Sequence, residues 1–348
     1  MDDRSAMRRA LELSRAALGR TSPNPPVGAV VLDRAGKVVG EGVTQRPGGP
    51  HAEVVALRLA GSRAAGGTVA VTLEPCDHTG RTGPCSEALV AAGVARVVVG
   101  CPDPTAAAAG GADRLRAAGV GVTQGVLADE VAAGPLDAWL HRQATGRPLV
   151  TWKYAATLDG RSAAVDGTSR WITGEAARAD VHRLRAENDA VVVGVGTVLA
   201  DDPALTVRPP DGRTPLRVVV DSSGRTPATA RVLDGRAPTL VVTAGATVAG
   251  VETAVAGSDR VDLGALLDLL AARGVVSVLL EGGPVLAGAF WQAGLVDRVV
   301  GYVAPTLLGA GPAALGVAGV GTISNAVRLQ MTDVRRFGQD LRLSLRRA

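Results

Sequence analysis

The sequence predicts an α/β protein built as two domains, and three observations carry that expectation. The chain has 348 residues, more than one hydrophobic core usually organises. Short Val-rich stretches alternate with Ala-rich, helix-compatible ones along its length. Near "HRQATGRPLV" a helical run ending at His141 to Gln143 gives way to a Gly, a Pro and a new strand, "LVTWKYAATLDG". The division falls at about residue 146, giving domains 1–146 and 147–348. All three cysteines precede it, so the two halves are expected to carry different chemistry.

The opening "MDDRSAMRRALELSRAALG" reads as an amphipathic helix, with Met7, Leu11, Ser14 or Arg15, and Leu18 on a loose helical period. It lacks the apolar stretch of a secretory leader, and no apolar run is long enough to span a bilayer. A cytoplasmic protein without a membrane partner is expected. "VGAVVLD", "GKVVGEGV", "AEVVALRLAG", "GTVAVTLEP", "SEALVAAG" and "ARVVVGCP" then supply the alternating elements of the first domain. At the far end, "RRFGQDLRLSLRRA" alternates Leu with Arg as a half-exposed strand does. The net charge of +4 permits a small anionic substrate. An aromatic content of 2% leaves too few stacking platforms for single-stranded nucleic acid, which is excluded as a partner.

Two cysteines flank the loop "LEPCDHTGRTGPC", Leu73 to Cys85. A reducing compartment disfavours a disulfide between them. Upstream, "PHAEVVALRLAG" sets His51 and Glu53 two residues apart at a helix start. A His-x-Glu followed by Pro-Cys and a second Cys is the pattern of the zinc deaminases. His51, Cys76 and Cys85 would supply one nitrogen and two thiolates to Zn2+, leaving the fourth tetrahedral position to water. The metal would make that water nucleophilic at neutral pH, and Glu53, not a ligand, would carry its proton to the departing ammonia. Cys85 opens the helix "CSEALVAAG", whose dipole favours a thiolate. A closed structural zinc with Cys101 as fourth ligand is the rival arrangement, and it would have no use for Glu53. His78 and Arg81 in the long loop either bind a phosphate or pyrimidine edge or are simply solvated.

The second half has no cysteine and one histidine, His182. In "VVSVLLEGGPVLAGAFWQAG" an apolar strand ends at Glu281, and two glycines and Pro284 open a helix. Such a helix start is a ready anion site, suited to a dinucleotide phosphate, or else a tight strand-to-helix turn. "GVGTVLA" is not a Rossmann fingerprint, because Leu199 takes the last glycine position and Pro203 stops the helix a turn later.

"SPNPPVGAVV", "PHAEVVALR" and "LEPCDHTGRTGPC", in that order, resemble the deaminase half of the bifunctional riboflavin-biosynthesis deaminase/reductases. "TLDGRSA", "GTSRWITGEAAR", "VGVGTVLADDPALTVR", "VVVDSSGRTP" and the Glu281 stretch resemble the reductase half, so the likeness covers nearly the whole chain. It implies a cytidine-deaminase-like three-layer domain followed by a dihydrofolate-reductase-like α/β domain. It also implies Zn2+ and NADPH as cofactors, a pyrimidine ribosyl phosphate as substrate and a homo-oligomer. The implied reactions are hydrolytic removal of an amine from a diaminopyrimidine ribosyl phosphate, then NADPH-dependent reduction of ribosyl to ribityl. Position by position, Asn24 and Asp103 would touch the deaminase substrate. Ala155, Trp171, Thr197, Asp201, Ser222 and the segment Gly283, Pro284, Val285, Leu286, Ala287, Gly288, Ala289 would hold the nicotinamide nucleotide. Ser169, Arg185, Leu205, Arg208 and Glu281 would hold the reductase substrate, with both arginines on its phosphate. Lys153 is a candidate cation near the sugar, and Trp171 either faces the cofactor or packs in the core. Thr44 and Thr105 depart from the family, which often has a histidine and an asparagine there. The same two-domain chemistry on another pyrimidine nucleotide, or a reductase with a structural zinc domain, are the alternatives.

Overall fold

The computed structural model describes residues 1–78, 83–208 and 213–347; Arg81 lies outside them. Two compact units meet in the chain at Gly146 and Arg147. The first runs α1 (Asp3–Ser14), β1 (Gly28–Leu32), β2 (Val38–Val43), α2 (Ala52–Ala60), β3 (Thr68–Leu73), α3 (Cys85–Ala91), β4 (Arg96–Cys101), α4 (Gly111–Ala117), β5 (Gly121–Thr123), α5 (Ala128–Ala132) and α6 (Asp137–Thr145).

Helix α1 starts where the Asp2 carboxylate accepts the Ser5 amide, and it buries Met7, Leu11 and Ser14 as the helical period expects. It ends at Ser14 and tightens into a 3-10 turn, so Leu18 falls beyond it. The sheet order is β2-β1-β3-β4-β5, antiparallel around β1 and parallel from β3 to β5. Two helices rest directly on glycines. A Cβ on Gly28 would stand 2.0 Å from the Ala10 carbonyl oxygen, and one on Gly42 would stand 2.1 Å from that of Ala52. Gly28 pairs with Val43 and Gly42 with Ala29, so the two glycines point to opposite faces. Helices α1 and α2 therefore cover opposite sides of the sheet, giving three layers. β1 is buried along its whole length, as a strand covered on both faces must be.

The second unit contains β6 (Leu149–Thr157), α7 (Glu175–Glu187), β7 (Ala190–Gly194), α8 (Val195–Asp201), β8 (Leu216–Val220), β9 (Thr239–Thr243), β10 (Glu252–Val255), α9 (Leu263–Ala272), β11 (Ser277–Leu280), α10 (Pro284–Gln292), β12 (Arg298–Ala304), β13 (Leu329–Phe337) and β14 (Asp340–Arg347). Its nine strands lie in the order β10-β9-β8-β7-β11-β6-β12-β14-β13. All are parallel except at the last two junctions, where β14 runs against β12 and β13. Successive valines of β7 feed two cores. Val192 packs with Leu280, Phe290 and Trp291, while Val191 and Val193 pack with Leu184, Leu279 and Tyr302. The Leu/Arg alternation at the C-terminus forms β14, half-exposed as expected.

The topology leaves a crevice between β7 and β11. After β7 the chain turns through α8 to β8 on one side, whereas after its neighbour β11 it turns through α10 to β12 on the other. Diverging connections leave a gap at the carboxyl ends of such strands, where open α/β sheets take their ligands. Gly194 to Thr197 and Glu281 to Pro284 line that gap.

Candidate functional site

In the first unit the metal-type donors converge. His51 is the N-cap of α2, Cys76 follows β3 and Cys85 is the first residue of α3. The His51 Nδ1 lies 3.5 Å from the Cys76 sulfur and 3.3 Å from that of Cys85. All three donor atoms lie within 4.8 Å of one another. A tetrahedral ion with bonds of about 2.0 Å to nitrogen and 2.3 Å to sulfur spaces such ligands by about 3.5–3.8 Å. The donor set and its spacing fit zinc.

Backbone contacts close the long cysteine loop. The Ser86 amide donates to the Cys76 carbonyl, and the Ser86 hydroxyl donates to Asp77 at 2.5 Å. A Cβ on Gly111 would lie 1.8 Å from the Pro75 carbonyl, so only glycine lets α4 back the Pro-Cys corner. Cys101 is excluded from the cluster by its strand. It ends β4 opposite Leu73, and its thiol donates to the Ala128 carbonyl at 3.4 Å.

Glu53 sits in the first turn of α2, buried at 3% exposure. Burial, the largest influence, pushes its carboxyl up to about 7, with the Cys76 sulfur adding to the rise. Asn24 is half-buried in a turn whose backbone amide donates to Thr21. His78 is exposed. Asp103 accepts both the amide and the hydroxyl of Thr105, at 2.8 and 2.6 Å, so the departing threonine is spent on fixing that turn. Thr44 is buried and bonds the Val27 backbone. Sequence reasoning passed over Glu74, one residue before Pro75. Its carboxylate accepts the Ala112 amide at 3.0 Å and the Asp103 amide at 3.4 Å, tying the Asp103 turn to the metal corner. Its place in "LEPC" was the available signal.

In the second unit Lys153, Arg185 and Glu281 form one half-buried, ion-paired group. Arg185 Nε and Nη2 donate to the two Glu281 oxygens at 2.6 and 2.9 Å, and Lys153 Nζ stands 3.6 Å from the same carboxylate. Burial opposes the charge on Glu281, but the Arg185 and Lys153 cations overcome it and hold the carboxyl down at about 2. Burial, with Arg185 beside it, lowers Lys153 against the pull of Glu281. The expectation that Arg185 offers its fork to a phosphate needs correction, because Glu281 occupies that fork and Nη1 donates to the Thr206 carbonyl. A carboxylate at bidentate range outcompetes solvent for a guanidinium. Arg208 is exposed, Ser169 half-buried, and Leu205 buried in the left-handed region at φ 52°.

Around the crevice, the Thr197 hydroxyl accepts the Gly283 amide at 3.2 Å, joining the two glycine turns. The Ser222 hydroxyl accepts the Val261 amide, and the Asp201 carbonyl accepts Arg170. Ala155 lies on β6, three residues past its last pairing with β11 and opposite Tyr302 of β12. Pro284 is the first residue of α10, Val285 is 86% exposed, and Leu286 and Ala289 are partly covered. Ala287 and Gly288 are buried, Gly288 with its Cα against the Val317 carbonyl. Trp171 is 69% exposed with the Arg178 guanidinium 4.6 Å over its ring, so it is not core packing. An exposed ring, an open helix start and Gly196 with space around it form a surface that suits a dinucleotide.

Residues 148–343 match the family model of the RibD C-terminal domain, and residues 1–101 match that of the cytidine and deoxycytidylate deaminase zinc-binding region. A riboflavin biosynthesis protein RibD of Mycobacterium tuberculosis is 53% identical over 98% of this chain and 96% of its own length. The chain belongs to the RibD family. The Escherichia coli RibD is 41% identical, with 99% of each chain covered. A Thermotoga maritima diaminohydroxyphosphoribosylaminopyrimidine deaminase/5-amino-6-(5-phosphoribosylamino)uracil reductase superposes with a TM-score of 0.91 at 35% identity, covering 99% and 98% of the two chains. Acinetobacter baumannii RibD gives 0.90 at 41% identity, covering 99% of each. RibD proteins are bifunctional deaminase/reductases of riboflavin biosynthesis, and this chain carries both halves, a zinc-binding deaminase domain and an NADPH-using reductase domain. Its substrate is a pyrimidine ribosyl phosphate. No helix among the described residues is long and apolar enough to cross a membrane.

Proposed function

We propose that residues 1–146 deaminate the diaminopyrimidine ribosyl phosphate and residues 147–348 reduce the resulting 5-amino-6-(5-phosphoribosylamino)uracil. The observation that carries the first assignment is the three-donor cluster of His51, Cys76 and Cys85 with a buried Glu53 two residues from the histidine. When bound, zinc supplies Lewis acidity beside the reacting carbon, and NADPH supplies reducing equivalents at the sugar. Glu53 takes a proton from the attacking water and returns it to the leaving amine, work suited to a carboxyl poised near neutrality. Asn24, Asp103, His78 and Arg81 orient the pyrimidine nucleotide, with Glu74 holding the Asp103 turn.

In the second domain Thr197, Asp201, Ser222, Ala155, Trp171 and residues 283–289 seat NADPH in the β7/β11 crevice. Glu281 and Lys153 meet the ribosyl chain. Ser169, Leu205, Arg208 and the remaining N–H groups of Arg185 bind its phosphate end. The protein works as a cytoplasmic homo-oligomer, which sedimentation at several concentrations would test.

The deciding experiment incubates the protein with the diaminopyrimidine nucleotide, with and without NADPH, and follows ammonia and NADPH separately. Ammonia must appear without NADPH, and NADPH must be consumed only after deamination. Reduction of the undeaminated nucleotide at a comparable rate would overturn this order.

A further inference from the structure

We propose that His182 is a proton-linked third cation of the reductase phosphate subsite, so that capture of the ribosyl phosphate takes up a proton. The proposal rests on the reading of Arg185, Arg208 and Ser169 as the phosphate end of that site.

His182 and Arg185 are three residues apart and share one face of α7. Both reach the same acceptor: the Thr206 carbonyl lies 3.2 Å from His182 Nδ1 and 3.2 Å from Arg185 Nη1. A carbonyl only accepts, so Nδ1 carries the hydrogen of the neutral ring. Nε2 is then the unprotonated atom, and it has no partner among the described residues. Three of the five N–H groups of Arg185 are committed to Glu281 and Thr206. Two Arg185 N–H groups stay open toward the phosphate end, and the imidazole, held by the same Thr206 carbonyl, stands beside them as a further donor once it is charged.

The charged groups facing the ring are Arg185 on its own helix, Arg208 beyond α8 and Glu281 at the end of β11. Burial first, then Arg185 and more weakly Arg208, outweigh the Thr206 hydrogen bond and the pull of Glu281 and hold the imidazole below its ordinary value in the free protein. A phosphate dianion reverses that balance by favouring the charged form. The step is a simple protonation: Nε2 gains a proton from solvent and donates it as a hydrogen bond to a phosphate oxygen. No other bond changes. Because the free ring titrates low and the liganded ring higher, binding tightens as pH falls through the liganded value.

The sign of proton exchange separates this from an arginine-only subsite. Arginines stabilise the phosphate dianion, whose second ionisation lies near pH 6, and would release protons on binding. Calorimetry at neutral pH, in buffers of different ionisation heat, would use the zinc-loaded full chain with NADP+ present. Its ligands are 5-amino-6-(5-phosphoribosylamino)uracil and the 5′-dephosphorylated analogue. Net uptake of a few tenths of a proton to about one proton, for the phosphorylated ligand only, is expected. Net release, or equal exchange with both ligands, overturns the proposal without any variant.

His182→Asn keeps a donor toward Thr206 and removes the ionisation. It should abolish the extra uptake, raise KM about tenfold at slightly acidic pH and flatten the dependence of KM on pH. The effect on the dephosphorylated analogue should be far smaller. A KM profile parallel to that of the parent counts against His182. Arg208→Gln tests the underlying reading. If it leaves KM for the phosphorylated substrate unchanged, the phosphate subsite itself is misplaced. If it raises KM while His182→Asn behaves as the parent, His182 alone is at fault.

Discussion

Glu53 differs from an ordinary helical glutamate in having water excluded from its carboxyl while a histidine and two thiols stand close by. Glu53→Gln preserves the shape and the hydrogen-bonding reach but removes the proton carrier. Ammonia release should fall by about 10²–10⁴. Zinc content, by elemental analysis, and reduction of supplied deaminated substrate should match the parent. Glu281 invites a different test, because it compensates two half-buried cations. Glu281→Gln leaves Arg185 and Lys153 unpaired and should cost about 3–5 kcal/mol in denaturant unfolding of the second unit. Its depressed carboxyl also sets a pH window. The stabilisation is complete above about pH 4.5, the ordinary value, and is lost as pH falls toward 2. The glutamine variant should lack that part of the acid dependence.

Among elements, the contact of α2 with β2 governs the metal site. Gly40 and Gly42 present bare backbone to the helix, and the Gly42 contact lies at Ala52, next to His51 and Glu53. Gly42→Ala must push the helix start outward. Overpacking of this kind costs about 1–3 kcal/mol, and zinc should dissociate faster in competition with a chromogenic chelator. These are also the places where sequence and structure part company. The His-x-Glu and the Pro-Cys corner were legible because zinc chemistry restricts residue types tightly. Cys101 could be placed only once β4 was paired with β3, since strand register is a long-range property. The commitment of Arg185 to Glu281, 96 positions away in the chain, is equally invisible to local pattern. Glu74 was missed because a buried carboxylate that accepts backbone amides leaves no periodic signature.

At the scale of the whole molecule, two chemistries coexist in one chain with separate donor sets. A strong zinc chelator should stop ammonia release while leaving NADPH oxidation with deaminated substrate within about twofold, because the cluster of metal-type donors found among the described residues lies in the first unit. Added Zn2+ should restore the first activity alone. The alternation of Val-rich and Ala-rich stretches gave the α/β class and the two units. It did not give the nine-strand order, in which consecutive strands β6 and β7 are kept apart by β11.

That intercalation has a consequence during synthesis. Strand β6 leaves the ribosome first of its sheet, yet both of its neighbours, β11 and β12, are translated more than a hundred residues later. Until then an apolar ribbon with Val150 and Trp152 has no edge to join, whereas β1 to β5 complete their own sheet as they emerge. Nascent chains stalled before Ser277 should therefore display a protease-resistant leading half and a trailing half that recruits holdase chaperones.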